Sequence, residues 1–149
     1  VSRLVVAVFD DEHVAREALA NAAELRAQGN AEIHDVCLVA RDPDGKVHVR
    51  ESGEISPRKA TLYGSAWGLF AGAVIGFPIV AAAAGAAAAR YAARRRDAGI
   101  SDEFERSVAE QLKPGTSAVV VEVADAGAAE VEAAAARLGA WTRTVDVRS

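Results

Sequence analysis

Cys37 is the only cysteine in the chain. That excludes an intrachain disulfide and any cysteine-rich metal centre, and its place in an apolar stretch reads as a buried, inert thiol. Positive charge is not in excess either. Seventeen Lys and Arg stand against 21 Asp and Glu, giving a net charge of −4 and a pI near 5.4, which excludes a general nucleic-acid binder. The glycines fall in a helical pattern and no Lys-Ser or Lys-Thr pair of a phosphate loop follows them, so nucleotide binding is not expected. Ser101, Ser107 and Ser117 lack the elbow and base spacing of an activated nucleophile. No charged-then-apolar leader stands ahead of the first strand, which reads as a cytoplasmic start.

What the chain does have is aliphatic content: 51% of its 149 residues are hydrophobic, much of it alanine. That length and composition suit one domain, 1–149, with a core of its own. An unbroken apolar run over 4–9 predicts a strand buried on both faces. Asp10, Asp11 and Glu12 follow with the chemistry of a helix start, and Gly29 ends that helix. Val14, Ala18, Ala22 and Leu25 are its expected core face. A strand over 33–41, the turn Asp42-Pro43-Asp44-Gly45 and an alternating strand over 46–51 predict a hairpin. Ser101-Asp102-Glu103 caps a later helix carrying Phe104, Val108 and Leu112 on one face, and Pro114-Gly115 stops it. A second fully apolar strand over 118–123, an alanine-rich helix over 126–138 and an alternating strand over 141–147 complete the order. The expected class is α+β. Its first six elements follow the βαββαβ pattern of ferredoxin-like sheets, with an extra αβ unit appended and a helical insert.

The insert is the unusual part. Gly64, Gly68, Gly72 and Gly76 recur every four residues, and four residues turn an α-helix by about 400°. They therefore line one slowly drifting stripe almost free of side chain. Gly costs roughly 1 kcal/mol against Ala inside a helix. The pattern makes sense where another backbone must come close, as in small-residue helix contacts. Ala81 and Gly85 sit in a second arm built almost wholly of alanine. Gly76, Phe77 and Pro78 form a turn-like trio, so the segment 58–96 reads as a glycine-zipper helical hairpin turning at 76–78.

A single span is excluded by topology, because it would separate strands that must share one sheet. A hairpin about the turn brings Tyr63 level with Tyr91, and Arg58 and Lys59 level with Arg95 and Arg96. With Trp67 and Arg94, these aromatics and basics have the order of membrane-interface anchors. The basics alone also suit a solvated helix end facing its C-terminal dipole. Each arm, about 15 residues or roughly 22 Å, is shorter than the roughly 30 Å hydrocarbon core. A re-entrant hairpin, or one packed against its own copies, follows.

The whole chain resembles a bacterial family, domain of unknown function 1269, often described as predicted membrane proteins. The resemblance rests on the opening Val5-Val6-Ala7-Val8-Phe9-Asp10-Asp11 and on Arg41-Asp42-Pro43-Asp44-Gly45-Lys46. It continues through Gly68, Gly72 and Gly76 before Pro78, then Ala98-Gly99-Ile100 and Pro114-Gly115-Thr116-Ser117-Ala118. The second arm departs in carrying alanine where the family has more glycine, and Arg94, Arg95 and Arg96 add an unusual basic cluster. The resemblance implies a membrane or assembly role and brings no catalytic residues.

Other constellations carry little chemistry. Asp10, Asp11, Glu12 and His13 point in different directions at a helix start, which suits capping and not metal binding. His34 and Cys37, three apart in a strand, face opposite sides. His34 and His48 lie on strands expected to pair and to come near each other, but two imidazoles do not close a metal site. The expectation is a non-enzymatic protein with no cofactor or metal that associates with itself. Its body lies in the cytoplasm, with the hairpin on the inner face of the membrane and anionic lipid as a further contact. The alternatives are a soluble homo-oligomer whose hairpins bury one another, and a ferredoxin-like small-ligand or haem pocket closed by dimerisation.

Overall fold

The computed structural model describes residues 2–29, 31–45, 47–51 and 101–147. The elements run β1 (Ser2–Phe9), α1 (Glu12–Gln28), β2 (Ile33–Arg41) and β3 (Val47–Glu51), then α2 (Asp102–Gln111) and β4 (Ser117–Ala124). A single 3₁₀ turn (Asp125–Gly127), α3 (Ala128–Arg137) and β5 (Trp141–Val147) follow. The five strands form one sheet in the order β3-β2-β4-β1-β5, and every neighbouring pair is antiparallel.

That order reallocates the elements. Assigning a split βαββαβ pattern to the first six would place β3 between β1 and β2. The sheet instead holds β4 there and puts β3 on the edge. Burial explains the choice. β4 is an apolar run with no polar face until Glu122, so both of its sides must leave water. The alternating Val47 and Val49 of β3 suit an edge. Two units result, β1-α1-β2 and β4-α3-β5, each with a strand of the other lying between its own two.

Alternation sends Val5, Ala7 and Phe9 of β1 to one face with Val119, Val121 and Val123 of β4. There they pack with Ala15, Leu19 and Ala22 of α1 and Ala128, Val131 and Ala135 of α3. The α1 stripe is thus turned slightly from the expected one: Val14, Ala18 and Leu25 are only its half-buried rim. Leu4, Val6 and Val8 face the other way, level with Ala118 and Val120. All five are at most 6% exposed, and Phe104 and Val108 of α2 and Leu112 at its C-terminal cap are buried too. The apolar runs of β1 and β4 are buried on both faces, as their sequence requires.

The punctuation is as read. Asp11 caps α1, its Oδ1 accepting from the His13 N–H at 2.9 Å, and Gly29 closes it at φ +72°. Ser101 Oγ accepts from the Phe104 N–H at 3.1 Å to start α2. The Gly45 N–H donates to the Asp42 carbonyl at 2.8 Å in the hairpin turn.

Candidate functional site

The residues expected to carry the zipper contact are Gly64, Gly68, Gly72, Gly76, Ala81 and Gly85. Those expected at a membrane interface are Arg58, Lys59, Tyr63, Trp67, Tyr91, Arg94, Arg95 and Arg96. All lie outside the described residues. The structure does establish the frame from which this segment departs and to which it returns.

One row of residues crosses the whole sheet. Glu51 of β3 pairs with Cys37 of β2, Cys37 with Val120 of β4, Val120 with Val6 of β1, and Val6 with Arg143 of β5. Glu51 is the last described residue before the segment and ends this row at one edge of the sheet. Arg143 ends it at the other edge, where it holds the start of α2. Its guanidinium donates to Ser107 Oγ and Glu103 Oε1, each at 2.8 Å, and lies 6.0 Å from the centroid of the Phe104 ring. At about 4.8 Å per strand spacing, the row is roughly 19 Å long. The described chain therefore stops at one edge of the sheet, at Glu51, and resumes at Ser101 beside β5 and β1.

The far end of α2 is fixed as well. Arg41 Nη1 donates to the Leu112 carbonyl at 2.9 Å, while Nε donates to Gly45 O at 3.2 Å. One side chain thus ties the hairpin turn to the helix C-terminus, satisfying a carbonyl that the helix itself leaves open. β1, β2 and β3 come before the segment and β4 and β5 after it, yet β4 lies between β1 and β2. Both flanks of the segment therefore lie on the same side of any barrier.

The remaining candidates resolve simply. Asp11 caps, Glu12 pairs with Arg16 at 3.3 Å, and Asp10 and His13 are exposed. His48 is level with Ala40, six residues along β2 from His34, so the two histidines are roughly 20 Å apart and do not meet. His34 sits at a register shift in β2 and is exposed. Among the described residues, no three His, Cys, Asp or Glu side chains are placed to share a metal ion. An apolar cleft of about 30 Å³ opens between α1 and α3 over Val5, Ala7, Val119 and Val121. Among the described residues Asn21 is the only polar one lining it, so no described set of polar groups converges to orient a ligand. No described helix is long and apolar enough to cross a membrane.

The family model described as "Protein of unknown function (DUF1269)" matches residues 61–145, more than half of the chain. The protein belongs to this family. The match begins at residue 61, before α2, and runs through α2, β4 and α3 into β5, so this DUF1269 protein shares with its family the stretch 61–100 and the last two strands of the sheet. No curated protein and no solved structure matches the chain.

Proposed function

We propose that this DUF1269 protein is a non-enzymatic assembly protein that associates with itself through a glycine-zipper hairpin at 58–96, the hairpin resting on the inner face of the membrane. The observation that carries the reading is the spacing of Gly64, Gly68, Gly72 and Gly76 in a segment whose two flanks belong to one sheet. A segment so tethered must return to the side it left, which suits a re-entrant or surface-lying hairpin. The interleaving of β1-α1-β2 with β4-α3-β5 supports a ferredoxin-like sheet as its cytoplasmic platform. β3 and α2 then belong with the insert. Tyr63, Trp67 and Tyr91, with the basics Arg58, Lys59, Arg94, Arg95 and Arg96 beside them, would meet the interface and its anionic headgroups, each basic residue contributing about 1 kcal/mol.

A second reading, a soluble assembly whose hairpins cover one another, is favoured by the shortness of the arms, roughly 22 Å against a core of roughly 30 Å. One experiment tests both. Gly68→Leu and Gly72→Leu force a bulky side chain into the contact stripe, at a cost of roughly 1–3 kcal/mol each, whereas Val74→Leu lies off it. Sedimentation of the untagged protein with anionic liposomes, and in plain buffer, should show a smaller assembly for both glycine variants and an unchanged one for Val74→Leu. Flotation of the wild type with liposomes selects the membrane reading, and a soluble oligomer the second. Wild-type size in both glycine variants refutes the zipper itself.

A further inference from the structure

The geometry points to Arg143 as the residue by which the sheet sets where the hairpin stands, a positioning role that rests on the zipper assembly proposed for 58–96. Residues 97–100 are all that separate that segment from Ser101, the N-cap of α2. From 96 to 101 is five Cα steps, which span at most about 18 Å. The first turn of α2 is therefore the nearest described anchor behind the second arm, and whatever holds that turn limits where the arm can end.

Two kinds of contact hold it, and they act differently. Phe104 and Val108 are buried, and α2 lies over β1 and β5. Such burial is non-directional. It keeps the helix on the sheet but specifies its rotation and its slide along the face only weakly. The directional contacts come from β5. Arg143 donates from Nη1 to Ser107 Oγ and from Nη2 to Glu103 Oε1, each at 2.8 Å. Glu103 and Ser107 are four residues apart and so share one side of the helix. A planar guanidinium fork gripping both fixes the helix about its axis and along it at once. Ser107 is set to accept, because its own proton goes to the Phe104 carbonyl at 2.9 Å. Arg143 is held in turn by the pairing of its backbone with Val6 of β1.

This grip supplies geometry more than stability. The Glu103 side chain is 77% exposed and that of Arg143 34%, and ion pairs so open to water contribute little to folding. Arg3 offers a comparison: it meets the carboxylates of Asp125 and Asp146, also well exposed, but these belong to β5 and the turn before α3, not to α2.

The test uses the full chain carrying Arg143→Gln, Arg143→Lys or Arg3→Gln, read by native-state hydrogen exchange and by sedimentation in buffer and with anionic liposomes. Arg143→Gln should speed exchange over 104–108 about tenfold while β1 and β4 keep their protection. It should also raise severalfold the protein concentration at which the assembly forms. Arg143→Lys keeps the charge but loses the fork, so it should fall between the two. Arg3→Gln should assemble like the wild type. Glu103→Gln combined with Ser107→Ala releases the same grip from the helix side; it should reproduce Arg143→Gln and replaces it if that variant does not fold. Wild-type assembly by a folded Arg143→Gln, unchanged exchange in its α2, or equal weakening by Arg3→Gln overturns the proposal. Failure of the zipper reading is distinct, since Gly68→Leu would then assemble like the wild type, and the proposal falls with it.

Discussion

Gly127→Ala should destabilise the protein, although glycine-to-alanine changes on negative-φ backbone usually help. Gly127 is buried at the start of α3 with φ −96° and ψ −8°, a conformation alanine adopts without strain. Lower unfolded-state entropy alone would then stabilise the variant by about 0.4–1 kcal/mol. Space decides otherwise. A Cβ there would lie 2.9 Å from Val123 Cγ2 and 3.1 Å from Ala31 Cβ, against about 3.5–4.0 Å for comfortable carbon contacts. Neither neighbour yields easily. Val123 is fully buried in central β4 with a stiff β-branched side chain, and the Ala31 Cβ is fixed to its backbone. That backbone is held in turn, since the Ile33 N–H donates to Ala31 O at 2.9 Å and the Ala124 N–H to Glu32 O at 2.9 Å. Relief must come from shifting α3 against the sheet, and such overpacking costs about 1–3 kcal/mol. The net loss is centred on about 1.3 kcal/mol, or about 3–5 °C in Tm for a chain of this length. Urea unfolding should show a lower midpoint at unchanged slope. In a double-mutant cycle, Val123→Ala should recover about 1 kcal/mol of coupling with Gly127→Ala. A midpoint at or above wild type, or zero coupling, would refute the crowding argument.

Phe104→Ala empties the centre of the α2 contact, where the ring is 1% exposed beneath Arg143. It should cost about 3–5 kcal/mol and speed hydrogen exchange in α2 before α1, whereas uniform loosening would show that α2 is not a separate anchor. Deleting 61–96 should leave a cooperatively unfolding sheet that has lost membrane association or the zipper-dependent assembly. The retained residues 52–60 and 97–100 can span the roughly 19 Å between the sheet edges, and shortening a loop changes its closure cost only slowly. A deleted chain without β-sheet dichroism would show that the segment is part of the core.

Much of this fold could be read in the sequence because local chemistry specifies local geometry. Asp11, Gly29 and Ser101 mark helix ends through their own hydrogen bonds or backbone freedom. The turn at 42–45 closes itself, and the apolar runs of β1 and β4 demand burial on two faces wherever they lie. The DUF1269 resemblance was legible for a similar reason, because it rests on short runs along the chain. The phase of α1 was less so: alanines on several of its faces blur the stripe, and only packing against the sheet selected Ala15, Leu19 and Ala22.

Which strands become neighbours is a different kind of question. Alternation states which face a side chain takes, but it carries no label for the strand beside it. Only the tertiary structure placed β4 between β1 and β2, moved β3 to the edge and separated His34 from His48. It also joined Arg143 to Ser107 and Glu103, residues 36 and 40 positions away. These depend on closing long loops and on the shared burial of several strands at once, so no single stretch of sequence contains them. The spacing of Gly64, Gly68, Gly72 and Gly76, by contrast, is local: it proposes a contact face, and nothing in the spacing says what that face would meet.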